Sequence, residues 1–130
     1  MLELNNVEFT FNPGTIQEKH IFSGLDLTIQ KGEFVSIVGC NGAGKSTLMN
    51  LISGHCVPSQ GTISLEGRIL GSESIERRAR DIARVFQNPH QGTFAELTVE
   101  ENLMIGVLRG EPKFKLSTIK KMVAQKIEEV

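Results

Sequence analysis

Tryptophan and tyrosine are both missing from this sequence of 130 residues, and cysteine occurs only twice, at Cys40 and Cys56. Two isolated thiols are too few for a disulfide framework or a four-ligand zinc site, so both are expected to be free. No charge of one sign dominates: 14 Lys and Arg stand against 15 Asp and Glu, for a net charge of −1. That balance lacks the basic excess of a chain that lives on nucleic acid, and no nucleic-acid partner is expected. Long hydrophobic runs are missing too. The longest, Phe34 to Val38, is interrupted by Ser36 and ends at Gly39, far short of the roughly 20 residues that a membrane-spanning helix needs. The N-terminus, Met1-Leu2-Glu3-Leu4-Asn5-Asn6, has neither the basic nor the apolar segment of a signal peptide, so a cytosolic chain is expected. His20, His55 and His90 share no ligand spacing, and no metal site is assigned to them.

What is present is the composition of an ordinary soluble domain, 39% hydrophobic with 13 glycines, in a chain long enough to bury a core. Leu2, Leu4 and Val7-Phe9-Phe11 alternate as in a strand until Asn12-Pro13-Gly14 stops them. Ile21-Phe22 and Leu25-Leu27-Ile29 repeat the pattern, which predicts an antiparallel pair. Phe34-Val35-Ser36-Ile37-Val38 reads as a central strand covered on both faces, because it is β-branched and lacks polar alternation. Leu48, Leu51 and Ile52 then fall at helical spacing, with Gly54 placed to end a helix of about ten residues. Thr62-Ile63-Ser64-Leu65 and Arg68-Ile69-Leu70 flank Glu66-Gly67 as a short hairpin. Ser72 to Arg80 is predicted to be a helix whose Arg77, Arg78 and Arg80 lie on a solvated face, and Ile82 to Phe86 a strand. Thr98-Val99-Glu100-Glu101 has the form of a capping box that starts a further helix. Leu116, Ile119, Val123, Ile127 and Val130 form a last helical stripe.

The chemistry lies in Gly39-Cys40-Asn41-Gly42-Ala43-Gly44-Lys45-Ser46, which matches G-x-x-x-x-G-K-[ST] between the run of strand character and the amphipathic helix, where a phosphate loop belongs. Gly39, Asn41, Gly42, Ala43 and Gly44 form a cradle in which backbone N–H groups face phosphate oxygens, and the helix N-terminus adds partial positive charge. Lys45 is expected to reach the β- and γ-phosphates, Ser46 to give its hydroxyl to Mg²⁺, and Thr47 to contact the α-phosphate. Cys40 lies inside this loop and is read as filler at a variable position of the motif.

With the phosphate loop in place, the chain resembles the first half of an ATP-binding subunit of an ABC transporter. Leu25-Asp26-Leu27-Thr28-Ile29-Gln30-Lys31-Gly32-Glu33 is similar to the family's lead-in, Ser59-Gln60-Gly61-Thr62-Ile63 to the stretch after the motif, and Val85-Phe86-Gln87-Asn88-Pro89 to its Q-loop, 42 residues beyond Lys45. The resemblance implies an α/β fold: a P-loop NTPase core with an antiparallel β subdomain over residues 1–92, ending at the Q-loop, and the start of the family's α-helical subdomain over 93–130. It gives Gln87 a catalytic role, touching Mg²⁺ and the attacking water, alongside Lys45. It places Phe11 where the family has an aromatic that stacks on adenine, with Phe9 left to the core. Gly92 to Leu103 resembles the lead into the subdomain that faces the membrane-spanning partner.

The implied function is ATP binding by an ATPase subunit, with Mg²⁺, that drives transport through a separate membrane-spanning subunit and pairs head-to-tail with a second ATP-binding subunit. Such a protein is cytoplasmic and peripheral at the inner face of the membrane. The family's LSGGQ signature, its strand ending in Asp before the catalytic Glu, and its switch histidine are not found in these residues. A truncated chain that binds ATP without hydrolysing it is therefore expected. The alternative is a non-catalytic nucleotide-binding or regulatory module.

Overall fold

The computed structural model describes residues 1–71 and 73–107. These fall into two compact units, one over Met1–Arg78 and one running from Ala79.

The first unit is built on a four-stranded sheet in the order β2-β1-β3-β4. β1 (Leu2–Phe11) and β2 (Lys19–Ile29) are the antiparallel pair that the alternation predicts, and β3 (Gln60–Leu65) and β4 (Arg68–Ile69) are the hairpin. The Glu66-Gly67 turn has φ of 50° and 77°, the doubly left-handed geometry that suits the twist of a two-residue hairpin. β1 also pairs with β3, matching Leu4 with Ile63 and Leu2 with Leu65, so one sheet carries both hairpins.

The apolar residues of β1 change parity between Leu4 and Val7, and the backbone absorbs the change. Asn6 takes a φ of 47° at a register irregularity between Leu4 and Val7, and its N–H is received by the Asp26 carboxylate at 2.7 Å. An extra residue inserted here keeps Leu4, Val7 and Phe9 all buried, where an unbroken strand would turn one set to solvent. The other buried apolar side chains of this unit are Ile63, Leu70 and, from helix α1 (Lys45–Ser53), Leu48 and Leu51.

Two expected strands are corrected. Phe34 to Val38 joins no ladder among the described residues, and Phe34 and Val38 are 94% and 90% exposed. Ile82 to Phe86 likewise forms no strand. β-branched composition favours extended backbone, but only a neighbour's N–H and C=O groups make a ladder, and no described residue supplies them. The predicted helix of 72–80 is one turn, α2 (Ile75–Arg78).

In the second unit a short 3₁₀ turn, Pro89–Gln91, precedes helix α3 (Val99–Val107). The capping box is present: Glu101 N–H donates to Thr98 Oγ1 at 3.2 Å, and Thr98 N–H donates to the Glu101 carboxylate at 2.8 Å. The Thr98 hydroxyl donates to the same carboxylate at 2.9 Å, and the two bonds from Thr98, backbone first, hold the Glu101 carboxyl below the ordinary glutamate value. The stripe from Leu116 to Val130 lies outside the described residues. No helix among the described residues is long and apolar enough to cross a membrane.

Candidate nucleotide-binding site

The loop from Gly39 to Gly44 is shaped by its own backbone. Gly44 is the N-cap of α1 with φ 92°, and a Cβ built on it would lie 2.8 Å from Ile21 Cγ2 and 3.1 Å from Phe22 Cζ, both on β2. Only glycine accepts both the left-handed backbone and that approach. Having no side chain, Gly44 places no cap on the first N–H groups of α1, and the first turn holds no acidic residue. The first intrahelical bond runs from Leu48 N–H to Gly44 C=O at 2.8 Å, which leaves the N–H groups of Lys45, Ser46 and Thr47 without an intrahelical partner. These donors and the positive end of the helix dipole share one place. Ser46 is exposed there, whereas Thr47 is 7% exposed.

Lys45 folds back over the loop. Its Nζ donates to the carbonyls of Gly39 at 2.6 Å and Cys40 at 2.8 Å, and Cys40 C=O also accepts from Ala43 N–H at 3.2 Å. Asn41, Gly42 and Ala43, between these anchors, are exposed. The side chain of Cys40 is a free, exposed thiol.

The far end of α1 is closed by a residue whose role the sequence hid. Arg78 was expected on a solvated face, yet it is 1% exposed. Its Nη1 donates to Leu51 C=O at 2.8 Å and Ile52 C=O at 3.2 Å, and its Nη2 to Gly71 C=O at 2.7 Å and Leu70 C=O at 3.4 Å. A fixed cation thus meets the last carbonyls of the helix, where the dipole is negative. Burial lowers the Arg78 pKa from its ordinary value, and the Glu73 charge opposes that shift. Arg77, beside it, is exposed as expected and pairs with Glu73 at 3.5 Å.

Phe9 and Phe11 meet edge to face with ring centroids 4.9 Å apart. Phe9 is buried, as expected of a core residue, and Phe11 is 38% exposed. Phe11 stands opposite Lys19 in the β1–β2 ladder.

In the second unit, Gln87 is exposed, just after residues 82–86, which form neither helix nor ladder and in which the Arg84 guanidinium lies 4.8 Å from the Phe86 ring centroid. Asn88 follows and caps the 3₁₀ turn by accepting from His90 N–H at 3.0 Å. Asn102, on α3, ties the loop before its helix: it accepts from Phe94 N–H at 2.8 Å and donates to the carbonyls of Phe94, Leu97 and Thr98. Nothing in the sequence pattern marks Asn102 for that task beyond its being a poor helix former inside a helix.

The family model described as ABC transporter matches residues 22–130. The chain belongs to the ABC transporter family. Among curated relatives, it is 39% identical over 126 residues to the tyrosine transport ATP-binding protein of Clostridioides difficile, covering 97% of this chain and 49% of that one. Among solved structures, an ATP-binding cassette captured as a dimer in a post-hydrolysis state with ADP and Pi superposes with a TM-score of 0.79 at 26% identity, covering 98% of this chain and 56% of that one. CbiO1 of Clostridium perfringens, described as part of the ABC transporter complex CbiONQ, gives 0.76 at 27% identity, covering 98% of this chain and 49% of that one. The chain therefore spans about half the length of the ABC proteins it matches. This is a family of nucleotide-binding cassettes, and the α/β fold class read from the sequence is that of its structural neighbours.

Within the first unit, the ABC phosphate loop (Gly39 to Ser46), Thr47 and Phe11 all belong to one compact body. Gln87 belongs to the second unit. Among the described residues, no cluster of His, Cys, Asp or Glu is gathered as a ready metal centre, so within the first unit a cation would rest on the Ser46 hydroxyl and on phosphate oxygens. An exposed hydroxyl oxygen suits a small, oxygen-seeking cation that keeps most of its waters, while the open N–H donors suit the phosphate it would accompany.

Proposed function

We propose that the chain binds Mg-ATP on the phosphate loop and, within the whole protein, serves as the ATPase subunit of an ABC transporter. The observation that carries this reading is the N-terminus of α1: three N–H donors without an intrahelical partner, a glycine N-cap, no neutralising carboxylate and an adjacent ammonium. In this reading Gly39, Asn41, Gly42, Ala43 and Gly44 shape the cradle, and the N–H groups of Lys45, Ser46 and Thr47 donate to phosphate oxygens. Lys45 trades a carbonyl for a β- or γ-phosphate oxygen. Phe11 takes the adenine on its exposed face. Ser46 and Gln87 are the residues that would hold Mg²⁺, which when bound neutralises developing phosphate charge. Residues 1–92 act as the nucleotide-binding core and 93–130 as the start of the helical subdomain.

Attack by water also needs a group that polarises it. Gln87 can orient water but cannot remove its proton. The 130 residues contain no LSGGQ run and no apolar strand ending in Asp-Glu. Binding without turnover is the activity we assign to this chain by itself. In the whole protein, turnover would come from head-to-tail pairing with a second ATP-binding subunit, coupled to a membrane-spanning subunit. The relatives' transport names and the dimeric cassette structure support that assembly. A cytoplasmic position against the membrane follows from it.

The test is calorimetric titration of Mg-ATP into the 130-residue chain, paired with phosphate release on the same sample. One-to-one binding without phosphate release is expected. Failure to bind any nucleotide overturns the reading, and steady phosphate release overturns the assignment of binding alone.

A further inference from the structure

We propose that Lys19 is a second ammonium for the nucleotide's phosphate chain, facing the loop from the sheet side. The inference rests on the nucleotide-binding reading above and adds to it a residue outside the G-x-x-x-x-G-K-S run. Lys19 Nζ lies 3.9 Å from the position that a Cβ on Gly42 would occupy, at the middle of the phosphate loop. Lys19 is also the ladder partner of Phe11, and side chains of directly opposed residues leave a sheet on the same face. One face of the β1–β2 ribbon thus carries a half-open aromatic ring and, beside it, a cation that reaches the loop. A base on the ring and a phosphate chain on the loop would pass Lys19 on the way.

The ammonium is available. No described residue forms a hydrogen bond or ion pair with it, and the adjacent carboxylate is committed elsewhere. Glu18 accepts from Gly14 N–H at 2.6 Å with one oxygen and meets His20 Nε2 at 3.1 Å with the other. His20 in turn is held by Thr10 Oγ1 at 2.9 Å through Nδ1. This exposed network fixes the connection between β1 and β2 and leaves Lys19 as its unneutralised charge. Lys45 is anchored to Gly39 and Cys40, so the two ammonium groups approach the loop from different backbone anchors. An oxyanion is the ligand that this pair recognises.

The test is calorimetry on the 130-residue chain with ATP, inorganic tripolyphosphate and adenosine, for the wild type, Lys19→Gln, Lys19→Arg and Lys45→Ala. Lys19→Gln is expected to weaken ATP and tripolyphosphate by about tenfold and leave adenosine unchanged. Lys19→Arg keeps the charge and is expected to stay within about threefold of wild type. If Lys19→Gln binds ATP as wild type does while Lys45→Ala loses about a hundredfold in affinity, Lys19 is overturned and the nucleotide reading stands. If adenosine weakens as much as ATP, or Lys19→Arg fails as badly as Lys19→Gln, the residue is not a phosphate contact. If the wild type binds none of the three, the reading beneath the inference fails and takes it along. Thermal melting of each variant, expected to match wild type at this exposed position, separates lost binding from lost fold.

Discussion

The two ends of α1 are finished in opposite ways. At the C-terminus, Gly54 caps the helix in a left-handed conformation and the buried Arg78 guanidinium fills the carbonyls of Leu51 and Ile52. At the N-terminus, Gly44 offers no side chain, no acidic residue lies in the first turn and the donors stay open. α3 shows that this chain can close an N-terminus when its sequence asks for it, since Thr98 and Glu101 cap each other there. An open N-terminus on a helix whose other end is closed, in a chain that caps the N-terminus of α3, marks where a ligand is meant to complete the charge balance.

The largest expected effect breaks the closed end. Arg78→Met leaves the carbonyls of Leu51, Ile52, Leu70 and Gly71 without their buried donor, and unfolding in urea is expected to show a loss of about 3 kcal/mol. Lys45→Ala acts on the open end. ATP affinity measured by calorimetry is expected to fall by about a hundredfold, with a smaller change in urea midpoint than Arg78→Met. A reversal of these two outcomes would erase the distinction between the ends. Phe11→Ala sharpens it by separating base from phosphate: ATP binding should weaken by about tenfold, while tripolyphosphate binding stays at the wild-type level. If both fall together, Phe11 serves the core through its contact with Phe9.

The smallest effect concerns α3. The Glu101 carboxyl sits below its ordinary value because Thr98 donates to it, so its capping contribution is complete above the ordinary glutamate pKa. That contribution disappears as pH falls through the depressed value. Amide shifts of Thr98 and Glu101 followed by NMR in an acid titration should report a midpoint below the ordinary glutamate range, and a midpoint at or above it removes the capping role.

How far the sequence could be read depended on the range of the forces involved. The phosphate loop, the length of α1, the Glu66-Gly67 turn and the Thr98-Glu101 box are local arrangements, each set by residues within a few positions of one another, and all were legible. Strand pairing is not local. Phe34 to Val38 has the side chains of a covered strand, but cover is a property of its neighbours, and alternation along β1 gave no sign that Leu4 would meet Ile63, 59 residues away. The parity break at Asn5-Asn6 was visible in the sequence as two separate apolar stretches, and the structure resolves it as one bent strand. Three arginines among Glu73, Glu76 and Asp81 have the composition of a solvated face, which hides the burial of Arg78. Only the fold shows that one of them meets the carbonyls of α1 and of Leu70-Gly71 after β4 at once. Within the candidate site, the motif named the loop residues, the family resemblance named Phe11 and Gln87, and Lys19 stayed hidden because its place beside Gly42 depends on ladder register.

The two bonds from Lys45 to Gly39 and Cys40 close the loop into a ring through a side chain. The ordering entropy of the loop is thereby settled during folding and not at the moment a ligand arrives. The same ammonium is therefore both the fastener of the empty loop and a donor to whatever fills it. Removing it loosens the receptor and deletes a contact in one step, so the affinity lost in Lys45→Ala measures a sum of the two and cannot be assigned to one ammonium–phosphate bond.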